Sequence, residues 1–179
     1  MKTNLDKIRS NTVRVLVLLM TITTLFSCKE DRDVMAGLPE YEHHYYIVYV
    51  PNNNSAVTVK RSQTALLELP VQFYSEFERS YDAVANYIVS VDGINSPAEI
   101  GKDFEVVDAS GNKLNPIAGK YELIFPKAKK DQAKIYIKLL NNSAATGRRT
   151  VAINLQDNVQ EQFRVDIFST AFKRTINID

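Results

Sequence analysis

From residue 44 onward, apolar and polar positions alternate with a period of two in one short run after another. In the run 65–74, Leu67, Leu69, Val71 and Phe73 fall on one face and Glu68, Pro70, Gln72 and Tyr74 on the other. That period marks a strand buried on one side only, and Pro70, which has no N–H for a ladder, places it at a sheet edge or a bulge. The run 133–140 alternates as cleanly, with Ile135, Ile137 and Leu139 set against Lys134, Tyr136 and Lys138. Dense aromatic and β-branched stretches at 44–50, 56–60, 84–92, 104–108, 113–117, 121–125, 151–155, 163–167 and 175–179 extend the pattern.

Between these runs stand residues that favour non-repeating backbone: Pro51-Asn52-Asn53-Asn54-Ser55, Asp92-Gly93, Ala109-Ser110-Gly111-Asn112, Pro126 and Gln156-Asp157-Asn158. The four residues 109–112 read as a hairpin turn joining 104–108 to 113–117. The segment 75–82 reads as a loop, and the sole helical candidate is one short turn there or around Ala83. Roughly nine to eleven strands, with turn signals every eight to twelve residues, predict an all-β fold: a single-domain antiparallel β-sandwich over 44–179. Short strands, long loops and Pro70 suit open edges better than a closed barrel.

The first 43 residues follow a different pattern. Lys2, Lys7, Arg9 and Arg14 precede an apolar run over 15–26, as in a secretory signal peptide. Twelve residues at about 1.5 Å each make roughly 18 Å of helix, short of the roughly 30 Å hydrocarbon core, so a cleaved signal over 1–27 is expected and not a membrane span. Cys28, the single cysteine, follows the small Ser27 and has no partner for an internal disulfide. The polar stretch 28–43, broken by Gly37 and Pro39, reads as a flexible tether.

Composition narrows the function. Residues 1–27 hold four of the 22 basic and one of the 21 acidic side chains, leaving 18 basic against 20 acidic in the remainder. Nucleic-acid binding needs a clustered positive field, so a slightly acidic chain argues against such a partner.

Leu25, Ser27 and Cys28 resemble a lipoprotein lipobox at its first, third and fourth positions, with Phe26 departing from the usual small or branched second residue. Lys29-Glu30-Asp31 is similar to the short charged signal that sends lipoproteins of the Bacteroidetes phylum to the outer face of the outer membrane. The resemblance implies that Cys28 carries the acyl chains, palmitate among them, and that the partner it engages is the lipid bilayer. Gly101-Lys102-Asp103-Phe104, the run 133–140 and the run 151–158 ending in Asp157-Asn158 resemble a Calx-beta (Ig-like) sandwich. They are also similar to small domains of Bacteroidetes surface lipoproteins associated with Sus-type glycan importers. This implies a non-catalytic, outer-membrane lipoprotein on the cell exterior, glycan-binding or accessory to a glycan-uptake complex with outer-membrane transporter proteins as partners. The alternative is a structural or adhesive subunit or anchor of a surface assembly. In Calx-beta domains loop acids bind calcium, and Asp103 and Asp157 fall at similar turn positions, but the dense acidic cluster of those sites is missing.

The search for catalytic chemistry ends in an expectation of no enzyme, no cofactor and no metal. His43 and His44 are adjacent and point to opposite sides of an extended chain, so even with Glu40 and Glu42 they converge poorly on a metal. No Gly-x-Ser-x-Gly elbow and no Gly-rich phosphate loop occurs. Glu76 with Glu78, and Asp103 with Glu105, are spaced to share a face, the arrangement a glycosidase needs, yet acids on strands ordinarily face solvent. Aromatic residues offer more. Tyr74, Phe77 and Tyr81 bracket the charged loop 75–80 and either form a ligand- or partner-binding platform or fold back as a lid over the sandwich. Tyr45, Tyr46 and Tyr49 read as sheet packing.

Overall fold

Eleven strands form among the described residues, each where an alternating or β-branched run can bury one face. They are β1 (His44–Tyr49), β2 (Ala56–Val59), β3 (Leu67–Tyr74), β4 (Ala83–Ser90), β5 (Phe104–Val107), β6 (Tyr121–Phe125), β7 (Asp131–Leu139), β8 (Arg149–Gln156), β9 (Asn158–Val159), β10 (Arg164–Ile167) and β11 (Lys173–Ile178). The computed structural model describes residues 43–179. The signal peptide expected over 1–27, Cys28, Lys29-Glu30-Asp31 and the expected tether up to residue 42 lie outside the described residues.

The strands make two sheets. The first has the order β5-β7-β3-β1-β10-β9 and the second β2-β11-β8-β4-β6. Pairing is antiparallel except where β10 lies parallel to β1 and β2 parallel to β11. The chain therefore forms the expected all-β sandwich, with two parallel pairs that no local pattern announces.

Alternation decides what lies between the sheets. Tyr45, Ile47 and Tyr49 of β1 point inward with Leu69, Val71 and Phe73 of β3 and Ile135, Ile137 and Leu139 of β7, all buried. From the second sheet come Ala83, Ala85 and Tyr87 of β4, Tyr121, Leu123 and Phe125 of β6, and Val151, Ile153 and Leu155 of β8. Phe73 and Phe125 stack across the interlayer with ring centroids 4.4 Å apart. Burying side chains of this size contributes about 1.5–3 kcal/mol each, which lets a chain with one cysteine hold together without a disulfide.

Charge also enters this interior. Arg174 lies on the inward face of β11 with Ile176 and Ile178 and is 2 % exposed. Its Nη1 donates to Asn53 Oδ1, Ser55 O and Ser55 Oγ, and its Nη2 to Pro51 O, so one guanidinium holds the whole 51–55 turn. The same group lies 4.7 Å from the centroid of the Tyr49 ring, whose hydroxyl donates to Ile153 O. Burial pulls the guanidinium below its usual range against the favourable pull of Tyr49, and burial pushes the Tyr49 phenol well above its own.

Three expectations need correction. Pro70 lies in an interior strand, between β7 and β1, and not at an edge. Val50 N donates to Pro70 O at 2.9 Å, so the missing proline N–H faces Val50, one residue past the end of β1. The ladder loses its donor where the neighbouring strand has already stopped. The run 113–117 is not a strand. Lys113 makes one bridge to Val107 and Leu114 N donates to Val106 O, after which the chain leaves the sheet and Ile117 is 72 % exposed. The hairpin turn itself forms, with Asp108 accepting from Ser110 N, Asn112 N and the Asn112 amide, and Gly111 at φ +83°. No helix forms over 75–82 or at Ala83, which is buried at the start of β4. The short 3-10 turn lies instead at Pro126–Ala128.

Candidate functional site

The strand directions gather several loops at one end of the sandwich. Tyr74 at the end of β3 lies opposite Tyr46, Asp131 at the start of β7 opposite Phe73, and Ala83 at the start of β4 opposite Phe125. Val159 and His44 both align with Arg164. Segments 75–82 and 126–130 meet there, along with the β9–β10 loop and His43, the first described residue.

Segment 75–82 is held firmly at this end. Arg79 N donates to Lys127 O, Lys127 N donates to Asp82 Oδ1, and Lys129 Nζ pairs with Glu78 at 2.8 Å. The Lys129 hydrogen bond and charge keep the Glu78 carboxyl below its usual range. Ala128 is fully buried beneath these contacts, although the turn around it is largely charged.

The three bracketing rings do not share one role. Tyr81 folds back. It is half-buried, stacks on Phe163 at 5.8 Å and shares hydrogen bonds with Tyr45 Oη at 2.7 Å and His43 Nδ1 at 2.6 Å. Burial, together with the bond to Tyr45, raises its phenol well above the usual range. Phe77 is 44 % exposed with the Arg79 guanidinium 5.3 Å from its ring centroid. Tyr74 is 42 % exposed on the outer face of the first sheet, where Lys130 Nζ lies 5.6 Å from its centroid.

On that outer face Tyr74 has company the sequence reading did not assign. Tyr46, directly opposite on β1, points outward while Tyr45 and Tyr49 enter the core. The Tyr46 ring stacks between His44, at 4.9 Å and 29°, and Phe168, at 5.1 Å and 25°. Phe168 is itself 44 % exposed. The result is a row of aromatic side chains on one sheet face: His44, Tyr46 and Phe168, with Tyr74 beside Tyr46. The signal for Tyr46 was present, because alternation from buried Tyr45 requires it to face out. Phe168 lies past the end of β10, where alternation no longer speaks.

Asp166 fixes one end of the row. Its Oδ2 bonds His44 Nε2 at 2.5 Å and its Oδ1 accepts from Arg164 Nε at 2.6 Å. Burial pushes the Asp166 carboxyl up, but the Arg164 and His44 bonds outweigh it and hold the carboxyl below its usual range. The hydrogen bonds of the two histidine rings thus go to Tyr81 and to Asp166, on diverging sides of the chain.

The acids give no calcium-like cluster. Asp103, 5 % exposed, accepts from Glu99 N on Oδ2 and from the Asn142 amide on Oδ1, both at 2.8 Å. Asp157 Oδ1 accepts from Ile167 N at 2.9 Å. A cation needs six to eight oxygens turned toward it, and these three oxygens face N–H donors. Among the described residues no group of three or more His, Cys, Asp or Glu could hold a metal ion. This donor set does not fit calcium. Of the spaced carboxylate pairs, Glu78 is tied to Lys129, Glu105 to Lys113, and Asp103 to the loop it closes.

No protein-family model and no curated protein sequence matches the chain. Among solved structures it is similar to the apo form of the Calx CBD1 domain, with 18% identity and a TM-score of 0.48 over 75% of this chain and 97% of that one. It is similar to the Calx CBD2 domain at 13% identity and a TM-score of 0.49, over 74% of this chain and 85% of that one. A third similarity is to CBD12 from CALX1.2, at 20% identity and a TM-score of 0.48, over 74% of this chain and 44% of that one.

Proposed function

We propose that this chain is a non-catalytic binding module, carried by lipid at Cys28 on the exterior of a Bacteroidetes outer membrane, and that it holds glycan on the ring face of its first sheet. It would act as a glycan-binding protein or as an accessory to a glycan-uptake complex. The observation that carries the reading is the row on the outer sheet face, in which Tyr74 and Phe168 are exposed and half-buried Tyr46 and His44 stand between them. Flat rings with hydrogen-bonding tips suit the apolar C–H faces and hydroxyl edges of sugars. Stacking contributes on the order of 1 kcal/mol per ring, so Tyr74→Ala with Phe168→Ala should weaken glycan binding about tenfold or more. Both rings are surface residues, so the melting temperature should hardly move; surface changes stay within about 0.5 kcal/mol. Titration of a glycan array with the full chain and this double variant measures the first effect and thermal melting the second. Equal array binding by both proteins would retire the ring face as the site. Tyr81→Ala should behave oppositely and melt lower, because it removes the hydroxyl bonded to Tyr45 and the ring against Phe163.

The anchor has its own test. Two or three acyl chains make attachment durable at about 0.8 kcal/mol per buried methylene. Cys28→Ala should therefore abolish incorporation of radiolabelled palmitate and release the protein from the membrane fraction. Undiminished labelling of the variant would sink the lipoprotein reading.

A further inference from the structure

The second sheet carries a separate feature. Ala83, Ala85 and Tyr87 of β4 point into the core, so Val84 and Asn86 point to the outer face, as does Glu122 on β6 beside them. The β9–β10 loop stands over this face and borders an open cleft of about 390 Å³, within the range of small-ligand pockets. Asn158 holds the loop in place, its Nδ2 donating to Val84 O at 2.7 Å and its Oδ1 accepting from Gln160 Nε2 at 2.8 Å. Gln160 N closes the loop onto Phe163 O. One wall of the cleft is therefore held by two linked amides, buried Asn158 and exposed Gln160.

Asn86 is the residue that needs explaining. Asparagine is poorly suited to the middle of a strand, and here it is 8 % exposed, lines the cleft, and its amide has no hydrogen-bond partner among the described residues. The amide atoms are not sealed from solvent, so they meet the water of the cleft, and a ligand that both donates and accepts can take that water's place.

We infer that this cleft is a binding site for a neutral saccharide, with Asn86 and Gln162 reading hydroxyls in both senses and Glu122 and Glu161 accepting from them. The chemistry of the lining selects that class. Two carboxylates face the cleft and no lysine or arginine lines it, which disfavours phosphates, uronates and other anions. Amides suit groups that donate and accept together, as hydroxyls do and ammonium groups do not. Phe163 and Val84 supply the apolar contact that a sugar's C–H face needs. This inference rests on the glycan-binding reading and adds to it a second place, on the other sheet, with a charge preference the ring face does not impose.

The test is ligand-observed NMR and calorimetry on the full chain with neutral gluco-, manno-, galacto- and xylo-oligosaccharides. An oligogalacturonate and a lysine-rich peptide are the counter-probes. The expected result is binding of a neutral oligosaccharide and of neither counter-probe, weakened about tenfold or more by Asn86→Ala and by Glu122→Gln. Glu122 is exposed, so its variant reports even if Asn86→Ala disturbs the fold. Neutral-sugar binding that survives both cleft variants but falls with Tyr74→Ala and Phe168→Ala overturns the cleft and leaves the ring face standing. Binding of the peptide or the oligogalacturonate alone, in a manner the cleft variants abolish, overturns the ligand class. Absence of binding to every neutral sugar overturns the cleft and the glycan reading together.

Discussion

Arg174→Ala is expected to lower stability by about 3 kcal/mol, the sum of several lost contacts to one buried cation. The guanidinium ties Asn53, Ser55 and Pro51 and sits over the Tyr49 ring. A cation over a desolvated ring contributes about 1–2 kcal/mol, and hydrogen bonds from a charged donor about 1.5–3 kcal/mol each where their acceptors stay dry. The full sum is not expected, because the 51–55 turn is exposed and its freed acceptors can turn to water. No carboxylate pairs with Arg174 in these contacts, so part of its own desolvation cost is also recovered on removal. For a domain of this size about 3 kcal/mol lowers Tm by roughly 6–12 °C. Arg174→Met, which refills the volume over Tyr49, should lose about half as much. Equilibrium urea unfolding of the two variants measures both. Equal losses would mean that packing contributes nothing and the hydrogen bonds everything, and a loss under about 0.5 kcal/mol for alanine would refute the account of the turn.

Arg174 also marks the limit of reading by alternation. The inward positions of β11 are Arg174, Ile176 and Ile178, a charge on a core face. A last strand expected over 175–179 leaves the arginine outside the pattern, whereas β11 begins at Lys173. Where a run is regular, as in 65–74 and 133–140, alternation names the inward set, of which Leu67 alone is only half-buried. It could not name neighbours. Pro70 is tolerable because β1 ends at Tyr49, and the length of a partner strand nearly twenty residues away is invisible in the run that contains the proline. The parallel pairs β1 with β10 and β2 with β11 join residues more than 100 positions apart, where local periodicity carries no information. The run 113–117 failed for a local reason: Pro116 removes a donor within two residues of where pairing with β5 would continue.

The candidate sites divide the same way. The outward placement of Tyr74 is legible because its strand is regular and its ring opposes buried Phe73. Tyr81 and Phe77 lie in a segment without a period, and only the packing of Phe163 and the hydroxyl of Tyr45 determine that one turns in and the other out. Asn86 offered a clue that composition alone could have raised, an amide in the centre of a β-branched and aromatic strand. The cleft it lines depends on a loop some 70 residues later, so its purpose was not legible.

Asp103→Ala should cost about 2–4 kcal/mol and make the protein no more or less responsive to calcium than before. The carboxylate is buried and both oxygens are used, one by Glu99 N and one by the Asn142 amide, so removal strands two donors at once. The surrounding backbone compounds the loss: Asp103 N donates to Glu99 O and Leu140 N donates to Asp103 O, tying the 99–103 turn to the end of β7. Asp103→Asn keeps one acceptor and turns an NH2 toward the other donor, so it should fall between wild type and alanine. Calcium enters as the rival explanation. Were Asp103 a ligand, the ion would have to displace both N–H donors and recruit at least four more oxygens, and Asp157, already bound to Ile167 N, would have to turn as well. A site occupied at 100 times its Kd stabilises by about 2.7 kcal/mol, which a melting experiment reads easily. Wild type and Asp103→Ala should each melt at the same temperature in millimolar calcium and in chelator, the variant lower in both. A calcium-dependent rise confined to wild type would show instead that the turn is a metal loop and that the two hydrogen bonds are only its apo arrangement.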